Sequence, residues 1–98
     1  MTNKLTVAVA HVAPVFMDAG ASATKAAAWI ARAGRDGAQL IVFPEVFLPG
    51  FPYWINCYPP LVQAGLNRRY QDQSVEADGP EVALLREAAR EHGVAVVM

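Results

Sequence analysis

The feature that most constrains this chain is the unbroken apolar run Leu40-Ile41-Val42-Phe43, set between Gly37 and Pro44. A short apolar run bounded by turn residues and preceded by a helical pattern is what a parallel strand covered on both faces requires. The preceding pattern is there. From about Ser22 to Asp36, Ala26, Trp29, Ile30 and Ala33 recur at spacings of three and four, which places them on one stripe of a helix. Ser22 is a candidate cap and Gly37 a candidate stop. Before this helix, Leu5 to His11 is partly β-branched, alternates through Val7-Ala8-Val9-Ala10 and is followed by Pro14, so it reads as a first strand. Strand, helix and strand make a β-α-β unit, and the fold class is α/β.

Beyond the second strand, Pro44, Pro49, Gly50, Pro52, Pro59 and Pro60 stand among many aromatic residues. The backbone of 44–60 is therefore expected to form a long, stiff loop without regular structure. Between Gln63 and Asp78 polar residues dominate, with Leu66 and Tyr70 four apart, which suggests a short helix. Asp78-Gly79-Pro80-Glu81 is a firmer helix start, because proline suits the first turn and acids suit the positive end of the helix dipole. That helix should bury Val82, Leu85 and Ala89 and end at His92-Gly93. Val94 to Met98 then begins another strand, inside which the sequence stops. The expectation is that residues 1–98 are the amino-terminal part of a larger domain, truncated within a strand.

Hydrophobic residues make up 54% of the chain and charged residues 17%, with a net charge of −1. This composition folds around a core and lacks the charge excess of disordered segments. Eight basic residues face nine acidic ones, and Arg68-Arg69 is the only adjacent basic pair. Nothing here offers the electrostatic footprint of a nucleic-acid or anionic-membrane partner. Cys57 is the one cysteine, which excludes an internal disulfide and suits a reducing, cytoplasmic setting. Lys4, the apolar stretch Leu5 to Ala10 and a later Ala21-Ser22-Ala23 have the outline of a secretory leader. His11 and Pro14 interrupt it, and the alternating pattern fits a strand better. No apolar run approaches the roughly 20 residues of a membrane-spanning helix.

In parallel α/β sheets ligands bind beyond the carboxyl ends of the strands, and Glu45 stands at such an end. Beside Phe43, Phe47 and the proline-rich loop its carboxylate would be partly desolvated, as a general base often is. A surface glutamate or a structural ion-pair partner would occupy the same place, and position does not decide between these readings. Phe47, Phe51, Tyr53 and Trp54 suit the wall of an apolar pocket, with the Tyr53 hydroxyl and Trp54 indole able to orient a ligand, although aromatics often only anchor a loop. Cys57 has no neighbouring histidine in sequence to activate it and reads as an inert, buried thiol. His11 and His92 read as structural, and Lys4 and Lys25 as solvated. There is no glycine-rich phosphate loop, no His-Glu-x-x-His helix and no paired metal ligands, so no cofactor and no metal are expected.

The stretch Leu40-Ile41-Val42-Phe43-Pro44-Glu45, continuing through Phe47-Leu48-Pro49-Gly50-Phe51-Pro52-Tyr53-Trp54, resembles the first catalytic motif of the carbon-nitrogen hydrolase superfamily, in particular its nitrilase branch. Val7 to Ala10, Ala13-Pro14-Val15-Phe16-Met17-Asp18, Lys25 and Gly37-Ala38 agree with it as well. The resemblance implies the amino-terminal part of a four-layer α-β-β-α sandwich. It implies a Glu-Lys-Cys triad, with Glu45 as the base, while the pocket reading of the aromatic loop keeps Tyr53 and Trp54 as the candidate substrate-binding residues. The lysine and the cysteine, the latter in a Cys-Trp-Glu context, would lie beyond Met98; Cys57, followed by Tyr58-Pro59-Pro60, does not match that context.

Two departures from the family pattern leave specificity open. His11 stands where glutamine is common, and Phe51 where tyrosine is frequent. The reaction implied is hydrolysis of a nitrile to a carboxylic acid and ammonia by a homo-oligomeric enzyme, with this chain inactive alone. An amidase of the same superfamily is the alternative enzyme. A non-catalytic α/β binding module is the alternative of a different class.

Overall fold

The computed structural model describes residues 3–98. Three short strands, β1 (Val7–Val9), β2 (Leu40–Val42) and β3 (Ala95–Val97), form one sheet in the order β1-β2-β3. Both pairings are parallel, with Ala8 opposite Ile41 and Ile41 opposite Val96. Helix α1 (Ala19–Arg35) links β1 to β2, while α2 (Pro60–Asp72) and α3 (Pro80–His92) lie between β2 and β3. The expected β-α-β unit is present, and a second crossover extends it.

Helix α1 is rich in alanine, which loses no side-chain entropy in a helix and keeps its buried face thin. Ala19, Ala23, Ala26, Ile30 and Ala33 form that face, at spacings of three and four. The cap differs from expectation. Asp18, four residues before Ser22, accepts from the Ala21 amide at 2.9 Å. Ser22 lies inside the helix, where its hydroxyl accepts from the Val15 amide at 3.0 Å and donates to the Val15 carbonyl at 2.9 Å. A serine spent on a neighbouring loop cannot cap. The stop is as expected: Gly37 adopts φ +88°, its amide reaches the Gly34 carbonyl and that of Ala38 reaches Ala33. This is the paired closure that a left-handed glycine permits.

Helices α1 and α3 pack side by side on one face of the sheet, over Ala8, Ile41 and Val96. Their closest approach is at Gly34, where an added Cβ would lie 2.9 Å from the His92 carbonyl oxygen. Helix α3 begins at Pro80 as expected, but it buries Leu85 and Ala88, while Val82 and Ala89 are only half-buried. The opposite sheet face carries Val7, Val9 and Val97, all exposed, with Val9 at 77%. Cover on both faces of the sheet is thus supplied on one side only by the described residues.

The 44–60 segment is more regular than its prolines suggested. Four residues free of proline, Tyr53–Asn56, close a single 3-10 turn behind Pro52. Helix α2 then starts at Pro60 rather than near Gln63, since proline costs nothing at the first helical position.

Candidate active site

Because β1 and β2 are parallel neighbours, the segments leaving their carboxyl ends emerge side by side. The Met17 amide donates to the Pro49 carbonyl at 3.0 Å and so ties the two loops together. Between them lies a cleft of about 440 Å³. Its walls include Val12, Pro14 and Phe16 from the first loop and Pro44, Phe51 and Tyr53 from the second. Among the described residues Glu45 is the only charged one lining it.

The position of Glu45 follows from the local chain. Phe43 and Phe47 are both buried, their rings 5.2 Å apart, and they anchor the backbone on either side of the turn. Between them Val46 has φ +52°, a left-handed conformation that a β-branched residue seldom takes. The Gly50 amide holds it by donating to the Val46 carbonyl at 2.8 Å. Such strain costs about 1–3 kcal/mol and survives only where the surroundings enforce it, as they do at functional sites. Glu45 is exposed in this chain. The desolvation anticipated from its neighbours is therefore not provided by residues 3–98, whose aromatic rings flank the carboxylate without closing over it.

Tyr53 lines the cleft and is 70% exposed. Trp54 does not line it. The residue is 7% exposed, its ring packs edge-on against Tyr70 at 5.5 Å, and its indole N–H donates to Asn67 Oδ1 at 2.8 Å. That donor, which sequence offered to a ligand, is occupied in holding the 3-10 turn to α2. Tyr70 in turn donates to the Gly50 carbonyl at 2.9 Å, and partial burial raises its pKa from 10.0. Gln63 completes the brace, its side-chain amide donating to the carbonyls of Ile55 and Tyr58.

Cys57 is exposed rather than buried, and its thiol donates to the Tyr53 carbonyl of its own turn at 3.4 Å. Neither it nor His11 nor either lysine lines the cleft with Glu45. Lys4 is exposed and Lys25 half-buried. Among the described residues no cluster of histidine, cysteine or acidic side chains is set to hold a metal ion. A second apolar cleft, of about the same volume, lies between α3 and Leu48 and contains no acid or thiol. Sequence reasoning overlooked Val12, Pro14 and Phe16 as wall residues. The signal was available: two parallel strands adjacent in order bring their following loops to one edge.

A family model described as carbon-nitrogen hydrolase matches residues 6–98. The chain belongs to the carbon-nitrogen hydrolase family. Among individual relatives it is 43% identical to an aliphatic nitrilase of Rhodococcus rhodochrous, over 99% of this chain and 27% of that protein. It is 36% identical to a bromoxynil-specific nitrilase of Klebsiella pneumoniae subsp. ozaenae, over 98% of this chain and 28% of that protein. An arylacetonitrilase of Aspergillus niger is 40% identical over 99% of this chain and 28% of its own length. The chain thus spans a little over a quarter of the curated relatives it matches. As part of a carbon-nitrogen hydrolase, its three-stranded parallel sheet with helices on one face is the amino-terminal portion of the fold. No helix among the described residues is long and apolar enough to cross a membrane.

Proposed function

We propose that the complete protein is a nitrilase and that Glu45 is its general base. The observation that carries this reading is the isolation of one carboxylate, at the carboxyl end of a central parallel strand, in a cleft otherwise lined by apolar and aromatic groups. Similarity over the whole chain to three proteins named as nitrilases supports the choice of nitriles over other carbon-nitrogen bonds. Lysine and cysteine partners would come from the remainder of the protein.

In this reading Glu45 accepts the proton of the cysteine thiol as the sulfur attacks the nitrile carbon and passes it to the nitrile nitrogen, giving a thioimidate and a free carboxylate again. It next takes a proton from water, whose oxygen attacks the same carbon. The lysine stabilises the charge that develops in each tetrahedral intermediate. Ammonia leaves with the proton taken from water, forming a thioester, and a second water breaks its carbon-sulfur bond to release the carboxylic acid and restore the thiol. This chain's part is to fix the base: Phe43 and Phe47 pin the turn, and the Tyr70 and Trp54 hydrogen bonds hold the rest of the same loop. Tyr53 stands on the substrate side of the wall and Trp54 supports it from behind. No step calls on a cofactor.

A free, exposed cysteine fits a reducing cytoplasm. The exposed apolar residues Ile55, Tyr58, Leu61 and Val62 support homo-oligomer formation. The deciding experiment is ammonia release by the full-length protein from a nitrile and its matched amide. Nitrile turnover is expected, and turnover confined to the amide would replace this reading with an amidase.

A further inference from the structure

Phe16, Phe51 and Tyr53 present aromatic rings to the cleft that holds Glu45. Phe16 is the best fixed of the three. Its ring meets Trp54 edge-on, with centroids 5.9 Å apart and planes at 76°, and Tyr53 at 6.2 Å and 37°. Tyr53 in turn lies 5.4 Å from Phe51. Behind the ring, Gly50 approaches so closely that a Cβ there would stand 2.9 Å from Phe16 Cδ1. Gly50 is itself held by Tyr70 through its carbonyl. Phe16 is nevertheless 47% exposed.

A ring held by Trp54 and Gly50 and open toward a cleft is a preorganised aromatic surface. Aromatic pairs favour edge-to-face or offset arrangements with centroids roughly 4.5–7 Å apart, and such contacts exceed what buried area alone provides. A ligand ring entering the cleft would extend the existing cluster of rings. A short alkyl chain would gain only the area it buries. Among the described residues no lysine or arginine lines the cleft.

We infer that Phe16 and Tyr53 are specificity-determining residues that receive the aryl ring of an aryl-bearing nitrile. The inference rests on the nitrilase reading of the Glu45 cleft and names the substrate class of that site. The test compares kcat/KM of the full-length protein for phenylacetonitrile and for butyronitrile. Phe16→Leu keeps apolar volume and removes the ring, and it should lower the phenylacetonitrile-to-butyronitrile ratio about three- to tenfold. Phe16→Tyr, which keeps the ring, should preserve the ratio. Should Phe16→Leu not fold, Tyr53→Leu, at the more exposed ring, should lower the ratio in the same direction. An unmoved ratio, or an equal fall for both nitriles, in the folded leucine variant overturns the inference while the nitrilase reading stands. Ammonia release from neither nitrile by the unmodified protein overturns both.

Discussion

At the scale of single residues, the chemistry of the side chains was legible and their local commitments were not. Glu45 stood out because a carboxylate at the end of a buried strand is conspicuous against Phe43-Pro44 and Phe47. Trp54 looked equally available. Its partner Asn67 lies 13 residues away, and no local pattern announces that bond. Ser22 and Asp18 show the same limit, since either suits a cap and only tertiary structure decides which one is free to do it. Asp18→Ala should cost about 1 kcal/mol of stability, the usual loss for a cap. Ser22→Ala should cost about 1–3 kcal/mol, because it strips both the amide and the carbonyl of Val15 of their partner. Urea denaturation of the full-length variants measures both, and a Ser22→Ala loss smaller than that of Asp18→Ala would contradict the assignment.

At the scale of elements, the three strands, the end of α1 and the start of α3 could be read because short-range signals coincide there, whereas α1 begins at Ala19 rather than near Ser22. Apolar runs end at glycine or proline, and helix spacings follow directly. The beginning of α2 was obscured by aromatic and proline residues that favour a loop until Trp54, Gln63 and Tyr70 brace the helix against the 3-10 turn. Packing of α1 against α3 was likewise silent in sequence, although it depends on one glycine. Gly34→Ala would drive a methyl group to 2.9 Å from the rigid His92 carbonyl. It should destabilise by about 1–3 kcal/mol despite alanine's better helix propensity, the cost of overpacking a tight contact. A gain in melting temperature would refute that packing.

Tyr70 makes a further prediction at this scale. Burial raises its pKa, so the folded state holds the phenolic proton more firmly than the unfolded chain. The stability this contributes is fully present below pH 10.0, the ordinary value, and is lost as pH rises through the raised one. Melting temperatures followed from about pH 9 to about pH 11 should therefore fall more steeply for the unmodified protein than for Tyr70→Phe. Parallel curves would show that this hydroxyl does not carry the effect.

For the whole molecule, the described residues form an open layer. The radius of gyration is 15.6 Å, above the roughly 13 Å of a compact domain of about 100 residues. One sheet face is apolar and uncovered, with Val7, Val9 and Val97 exposed. The isolated 98-residue chain should therefore self-associate, and light scattering from a monodisperse monomer with a cooperative melt would contradict this. Composition and periodicity made the α/β class legible. They could not show how a sheet face is covered, because the pattern of a strand records that it is apolar and not what lies against it. The candidate site follows the same rule: one end of the sheet, one carboxylate and one aromatic wall are encoded here, and the proposed nitrilase reaction calls for a lysine and a cysteine beside them. The central claim, that Glu45 is the base of that enzyme, is tested most directly by nitrile turnover in full-length Glu45→Gln, whose amide is nearly isosteric but cannot take a proton. Turnover should fall by about 10²- to 10⁴-fold with the melting temperature unchanged, and near-normal turnover would contradict the claim.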